Sequence, residues 1–211
     1  MTNFIPIFPL GIVVYPGEVL NLHIFEPRYK QLINECFQAK KPFGIPAVIN
    51  DKLLEMGTLV QVLEISKVYE DGKMDIQTEG TKVFRILEMI EALPEKLYSG
   101  AIVNYPQNRE GGKRILMQTV IKGIRELHKL LKVNKAFKKT DEELWSYDVA
   151  HHAGLSLTEE YELLELLQEL QRQEYLKRHL AKVLPVMAEM EILKEKVKLN
   201  GHFKNVTGLD S

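Results

Sequence analysis

The spacing of apolar residues changes near the middle of the chain. Up to about Tyr105 the apolar runs are short, and Met74, Ile76 and Thr78 alternate with polar residues at a period of two. That period is typical of a half-buried strand. From about Gly112 apolar residues recur every three or four positions, which predicts amphipathic helices. We therefore expect an α+β chain with strands first and helices second.

A hairpin and one helix are predicted within the strand-rich half. Asp71-Gly72 supplies residue types that tolerate positive φ, so the strands on either side of it should pair, with Gly80 ending the second strand. Pro27 suits the first turn of a helix, because its fixed φ is helical and its missing N–H is not needed there. The apolar periodicity after Pro27 stops at Lys40-Lys41-Pro42, which predicts the end of that helix.

The second half contains four predicted helical regions, of which the second spans Asp141 to His152. Apolar residues between Leu116 and Leu131 form one stripe, and Ser156 with Glu159 forms a capping box that opens a later helix. A long helix is expected from Gln173 to about Leu199. Pro185 lies inside it and predicts a kink or a break. We accordingly divide the chain into a β-rich part (1–106), a helical part (107–200) and a loosely ordered tail (201–211).

Several motifs resemble one protein family. The segment from Pro6 to Tyr29, PIFPLGIVVYPGEVLNLHIFEPRY, resembles the start of the N-terminal, substrate-recognising domain of Lon-type ATP-dependent proteases. Further similar segments are Gly57–Val60, Glu79–Ile86, Asp148–Leu157 and Glu174–Leu180. The resemblance implies a six-stranded pseudo-barrel related to PUA domains, followed by a helical bundle. It also implies a module that recognises polypeptide.

The motifs of an ATP-driven protease are not found in the sequence. Gly112-Lys113-Arg114 lacks the hydroxyl residue and the preceding glycine of a phosphate-binding loop. Gly154-Leu-Ser-Leu-Thr158 lacks the second glycine of a serine elbow. The chain ends at Ser211, about where the ATPase of a Lon protease would begin. We therefore expect no ATPase or protease domain, no enzymatic activity and no cofactor.

Two features invite an alternative enzymatic interpretation. His151-His152 are adjacent, so on a helix they point about 100° apart and do not grip one metal ion; we expect one packed and one exposed histidine and no metal. Cys36, the single cysteine, falls on an apolar stripe and is expected to be a buried small hydrophobe. The alternative is a small hydrolase built from Cys36, His128 or His151, which requires a histidine beside an accessible Cys36.

Charge is distributed unevenly although the formal net charge is −1. Ten basic residues lie between Arg109 and Lys139, and nine acidic residues with no lysine or arginine lie between Asp141 and Gln171. Three explanations stay open: neutralisation within one bundle, association of copies into a homo-oligomer, and nucleic-acid binding. Nucleic acid ranks last, because Phe137 is the one aromatic residue within the basic segment and the neighbouring acidic segment repels phosphate.

The expected ligand is an unfolded polypeptide or a partner protein, including a separate ATPase or protease for which this chain would be the adaptor. Exposed apolar surface on the strand half, and in a groove between the halves, would receive it. Five candidate binding residues are Val14, Tyr15, Pro16, Phe25 and Tyr29. A single cysteine, no signal-peptide pattern and no long apolar run lead us to expect a cytoplasmic protein with no membrane partner.

Overall fold

The computed structural model describes residues 3–109 and 111–206, with side chains described through Val197. Strands precede helices apart from one early helix, so the predicted α+β order is confirmed. A 3₁₀ turn over Ala150–His152 follows the third helix. The elements are β1 (Asn3–Pro6), β2 (Val19–Ile24), α1 (Pro27–Ala39), β3 (Phe43–Ile49), β4 (Lys52–Val68), β5 (Met74–Ile90), β6 (Gly100–Asn104), α2 (Arg114–Leu130), α3 (Ser146–Val149), α4 (Leu157–Glu165) and α5 (Glu169–Val206).

The strands of the described residues form one antiparallel sheet. Its order is β1-β6-β5-β4-β3, and β2 pairs with β5 beside this path. The hairpin of β4 and β5 is the framework, with 17 residues in each strand. Register shifts at three places along it allow such long strands to bend. The turn lies at the predicted Asp71-Gly72, where Gly72 has a φ of 75°.

Gly80 does not end β5, and that prediction is wrong. The strand continues through Gly80 to Ile90. The glycine is needed there because the 15–18 turn approaches the strand closely at this position. The Gly80 N–H donates to the Glu18 carbonyl oxygen at 2.8 Å, and a Cβ at Gly80 would lie 2.3 Å from the carbonyl oxygen of Tyr15. Only a glycine lets the 15–18 turn lie this close to the strand.

Helix α1 closes one side of the core. It begins at Pro27 as predicted and ends where Lys40 takes the left-handed conformation at a φ of 52°. Its buried residues, Leu32 and Ile33 among them, pack in the same cluster as Phe8 and Phe43. Each such aliphatic side chain contributes about 1.5–3 kcal/mol when fully removed from water.

The chain folds into two compact units. The strand unit is Met1–Gly111 with Gly154–Arg172, and the helical unit is Gly112–Ala153 with Gln173–Ser211. This division differs from the predicted one at 106/107, because α4 packs on β3 and β4 and the start of α5 is hydrogen-bonded to the segment after β6. The Tyr161 hydroxyl accepts a hydrogen bond from the Met56 N–H at 3.0 Å, and the Tyr15 hydroxyl donates to the Glu160 carbonyl oxygen at 2.9 Å.

A buried ion pair completes the strand unit at its last residues. Arg172 and Glu169 lie 2.9 Å apart, each with 3% of its side chain exposed. Arg172 also donates to the Asn108 side-chain oxygen at 2.8 Å and to the Leu166 carbonyl oxygen at 2.7 Å. These bonds satisfy the guanidinium group, which a buried charge requires.

The helical unit contains the predicted apolar stripe on α2, of which Leu116, Val120, Ile124 and Leu127 are buried. Helix α5 continues through Pro185, because one missing backbone hydrogen bond does not interrupt the turns on either side. Of the predicted kink or break, the break is therefore excluded and the kink stays a prediction. The helix extends to Val206, so residues 201–206 are helical, and residues 207–211 of the predicted tail lie outside the described residues. Within the described part of the chain, no helix is both long and apolar enough to cross a membrane.

The hydrogen bond from α4 to β4 should be measurable as stability. Tyr161→Phe leaves the N–H of the fully buried Met56 without its acceptor, which should lower the free energy of unfolding by about 1–3 kcal/mol. Urea denaturation followed by circular dichroism measures this change. Tyr105→Phe is the control, because its ring lies in the same unit and should change stability by less than about 0.5 kcal/mol. Equal stability of both variants would remove the proposed role of this bond.

The contact at Gly80 generates a second prediction. Gly80→Ala places a methyl group against the Tyr15 carbonyl oxygen and should destabilise the protein by about 1–3 kcal/mol. Gly11→Ala is the matched control, since its Cβ would meet nothing closer than 3.9 Å. Thermal unfolding of the two variants beside the parent should show a lower midpoint for Gly80→Ala alone; an unchanged midpoint would contradict the tight packing described above.

Candidate functional site

Strand β2 has an outer and an inner side. Its odd-numbered residues Val19, Asn21 and His23 are exposed, whereas Ile24 is buried. Leu20 and Leu22 are half-buried and pack at the border of the core. This alternation follows from the two-residue period of a strand, and it gives β2 an outer side that is polar apart from Val19 and an apolar inner side.

An aromatic cluster, defined as His23, Phe25 and Tyr69, lies at the end of β2. The rings of His23 and Phe25 are stacked with centroids 6.2 Å apart, and the ring of Tyr69 meets His23 edge-on at 5.7 Å. The Lys67 ammonium group lies 4.3 Å from the centroid of Tyr69. Phe25 is 57% exposed, so the cluster presents a large apolar ring to solvent.

Asp75 on β5 holds two rings of the aromatic cluster in place. The His23 Nδ1 lies 2.6 Å from one carboxylate oxygen of Asp75, and the Tyr69 hydroxyl donates to the other at 2.7 Å. Hydrogen bonds from His23 and Tyr69 lower the pKa of Asp75 below its usual value. The carboxylate is therefore ionised at neutral pH and orients the rings of His23 and Tyr69, on the first of which Phe25 stacks.

The five predicted binding residues do not form one exposed surface. Val14, Tyr15 and Tyr29 are buried, with 2%, 0% and 7% of their surface exposed. Tyr15 turns inward to its hydrogen bond on α4, and the ring of Tyr29 stacks on Phe8 at a centroid distance of 4.0 Å. The prediction that these three residues form a contact surface is therefore wrong, because their side chains are packed in the interior and are not exposed.

Phe25 and Pro16 remain available, since Phe25 is exposed and Pro16 is partly exposed. His23 and Tyr69 were missed by the sequence reasoning. The alternation of β2 marks His23 as an outward residue, but the partnership with Tyr69 depends on the pairing of β2 and β4 with β5, which no local pattern specifies.

Cys36 does not have the surroundings of a nucleophile. It is 3% exposed and lies in the apolar cluster that also contains Leu32 and Ile33. Burial raises the pKa of the thiol to about 11. A thiol of this kind is almost wholly protonated at neutral pH, so it packs as a small hydrophobe, as the sequence predicted.

The adjacent histidines are placed as expected, with His151 exposed and His152 partly buried. The ring of His152 lies 5.4 Å from that of His128 and 5.1 Å from that of Phe137, measured between centroids. Burial lowers the pKa of His152, which favours the neutral ring. No group of three potential metal ligands occurs among the residues whose placement is described.

The basic segment is partly neutralised inside the helical unit. Arg125 makes two hydrogen bonds to Asp141, at 2.8 and 2.6 Å, and Lys139 contacts Asp148 at 2.6 Å. Exposed pairs of this kind contribute at most about 1 kcal/mol each. Their positions favour the first explanation of the charge asymmetry, neutralisation within a bundle, over a stripe reserved for phosphate.

Comparison with known proteins places this geometry in a family. Residues 5–182 match the family model described as the ATP-dependent protease La (LON) substrate-binding domain. Lon protease 1 of Hydrogenovibrio crunogenus is 23% identical over 219 aligned positions, which cover 96% of this chain. The chain spans 26% of the length of that relative.

Two solved structures share the fold. The Lon N-terminal domain protein of Xanthomonas campestris superposes with a TM-score of 0.63 at 22% identity, over 82% of this chain and 96% of that one. The N-terminal domain of the Mycobacterium avium complex Lon protease gives 0.60 at 14% identity, over 85% and 98%. Together with the family match over most of its length, these similarities show that the chain belongs to the family of Lon protease substrate-binding domains.

Proposed function

We propose that this protein binds unfolded polypeptide without cleaving it, through the exposed side of β2 and the aromatic cluster. Membership of a substrate-binding domain family supports this proposal. The observation that carries it is the exposure of Phe25, which stacks on the His23 ring that Asp75 orients. Unfolded chains differ from folded ones in presenting apolar side chains, and an exposed, oriented aromatic ring is complementary to them.

The mode of contact follows from the side chains around the aromatic cluster. Val19 at the start of β2 is 39% exposed and Phe25 just after its end is 57% exposed, so apolar positions lie at both ends of the β2 region. Between these two ends the surface is polar and contains Asn21 and Gln77. The Gln77 side-chain nitrogen lies 3.4 Å from the Asn21 side-chain oxygen. Such a mixed surface accepts apolar side chains of many sequences, which suits a ligand defined by being unfolded.

A partner-dependent form of this function, in which the protein serves a separate ATPase or protease, is a further proposal. This form of the function needs an apolar face on α5 that is not buried within the helical unit. Leu176 and Leu180 are buried, whereas Val186, Met190 and Leu193 are 47–62% exposed. The exposed part of α5 therefore provides the face that such a partner requires.

The proposed polypeptide contact is tested with reduced, carboxymethylated α-lactalbumin, a permanently unfolded chain. Phe25→Ser should weaken its binding roughly fivefold or more, because a truncated aromatic anchor costs about 1 kcal/mol or more. Fluorescence anisotropy of the labelled polypeptide measures the affinity.

Phe37→Ser is the matched control for that measurement. Phe37 is 40% exposed on α1 in the same unit, so the substitution removes an exposed aromatic residue outside the aromatic cluster. Its affinity should stay within about twofold of the parent. Absence of binding by the parent protein would overturn the proposed function, and equal losses in both variants would overturn the assignment to Phe25.

The reactivity of Cys36 distinguishes this function from the hydrolase alternative. At about pH 8 a thiol with a pKa of about 11 is on the order of 0.1% thiolate, and its burial further blocks reagents. Labelling by Ellman's reagent should therefore be slow in the folded protein and fast in concentrated guanidinium chloride. Rapid labelling of the folded protein would show an accessible, activated thiol and would restore the hydrolase alternative.

A further inference from the structure

Strand β2 pairs with β5 along one edge, and no other described strand lies along its second edge. Within the described residues its backbone partner is β5 alone, with Val19 opposite Glu79 and Ile24 opposite Met74. The strand is six residues long, or about 20 Å at 3.4 Å per residue. The free edge is therefore as long as a typical strand and is open to a further one.

The direction of each backbone group on β2 follows from neighbouring hydrogen bonds. The Gly80 N–H donates to the Glu18 carbonyl, and the Thr78 hydroxyl donates to the Leu20 carbonyl, so even-numbered residues face β5. Successive residues of a strand point their N–H and C=O groups to opposite sides. The backbone groups of Val19, Asn21 and His23 consequently point to the free edge.

This edge lacks the features that usually protect an exposed strand. The sequence VLNLHI contains no proline, no lysine and no carboxylate, and its pairing with β5 has no register shift. The second half of β4, beyond the end of its pairing with β3 at Val60, offers a contrast. It carries Glu64 and Lys67 and two of the register shifts of the sheet. Such charges and bulges discourage the addition of a further strand. The second half of β4 is therefore protected against strand addition, and β2 is not.

We propose that an extended segment of unfolded polypeptide adds to the free edge of β2 as a further strand. The proposal rests on the polypeptide-binding function above and specifies how it is achieved. Main-chain groups of the ligand bond to Val19, Asn21 and His23, which gives affinity for any sequence that can extend and is free of proline at the bonded positions.

The side chains of the added strand meet two different surfaces. Those on the inner side pack against Leu20 and Leu22, whose half-buried side chains lie at the border of the core. Those on the outer side lie beside Asn21 and reach Phe25 at the end of the strand. The preferred ligand is therefore an uncharged segment of about six residues with apolar side chains at alternate positions, ending in a residue that contacts the aromatic cluster.

A second copy of this chain is the competing occupant of the edge. An antiparallel pair of β2 strands would satisfy the same backbone groups. The unfolded ligand is favoured because the exposed apolar ring of Phe25 lies past the end of β2, where a longer extended chain continues. Pairing between two β2 strands ends with the strand and does not extend over Phe25.

Amide hydrogen exchange tests the edge directly. In the protein alone, the amides of Val19, Asn21 and His23 should exchange fast, and those of Leu20 and Leu22 slowly because they already bond to β5. Saturating carboxymethylated α-lactalbumin should slow the three edge amides at least about tenfold and leave Leu20 and Leu22 unchanged. Binding without this protection overturns strand addition while the proposed function stands. Protection that appears without the polypeptide and increases with protein concentration identifies a second copy instead.

A pair of substitutions at one position supplies an independent readout. Asn21→Pro removes the outward N–H and blocks the edge but leaves the bonds to β5, whereas Asn21→Ala removes only the side chain. We expect the proline variant to bind at least about tenfold more weakly than the alanine variant, because only the alanine variant keeps the backbone N–H to which the added strand bonds. Equal binding by both variants overturns the inference. If circular dichroism shows that Asn21→Pro is unfolded, the exchange experiment on the parent protein decides.

Discussion

The pairing of β4 with β5 is the constraint on which the rest of the strand unit depends. Three other strands pair with one of these two: β3 with β4, and β2 and β6 with β5. Since each strand is 17 residues long, different stretches of β5 hold β2 and β6. Among the residues that the structure describes, the hairpin thereby leaves β2 with a single partner strand, and the open edge of β2 is a consequence of how the sheet is built.

The segment 154–172 shows how a helical region becomes part of the strand unit. Tyr161 and Tyr15 each reach across with a hydroxyl, one accepting from Met56 and one donating to Glu160. Arg172 closes the segment with hydrogen bonds that satisfy its buried charge. The same packing explains why Tyr15 is unavailable to a ligand. Its side chain is fully buried because its hydroxyl is bonded to α4.

The proposed function depends on the difference between the two kinds of apolar residue in the segment Pro6 to Tyr29. Val14, Tyr15 and Tyr29 belong to the core, and Phe25 does not. All four are apolar or aromatic residues close to turns, so residue type alone does not separate them. What separates Phe25 is its position after β2, where its neighbours His23 and Tyr69 are fixed by Asp75 on the exposed side of the sheet.

Local sequence determined the features that depend on neighbouring residues: the start of α1 at Pro27, the turn at Asp71-Gly72, the capping box at Ser156 and the buried state of Cys36. The family resemblance added the fold. Tertiary structure decided the course of β5 through Gly80, the place of residues 154–172, and the meeting of His23 with Tyr69. The physical reason is that caps, turns and periodicity act over a few residues, whereas strand register and burial arise from contacts between segments distant in the chain.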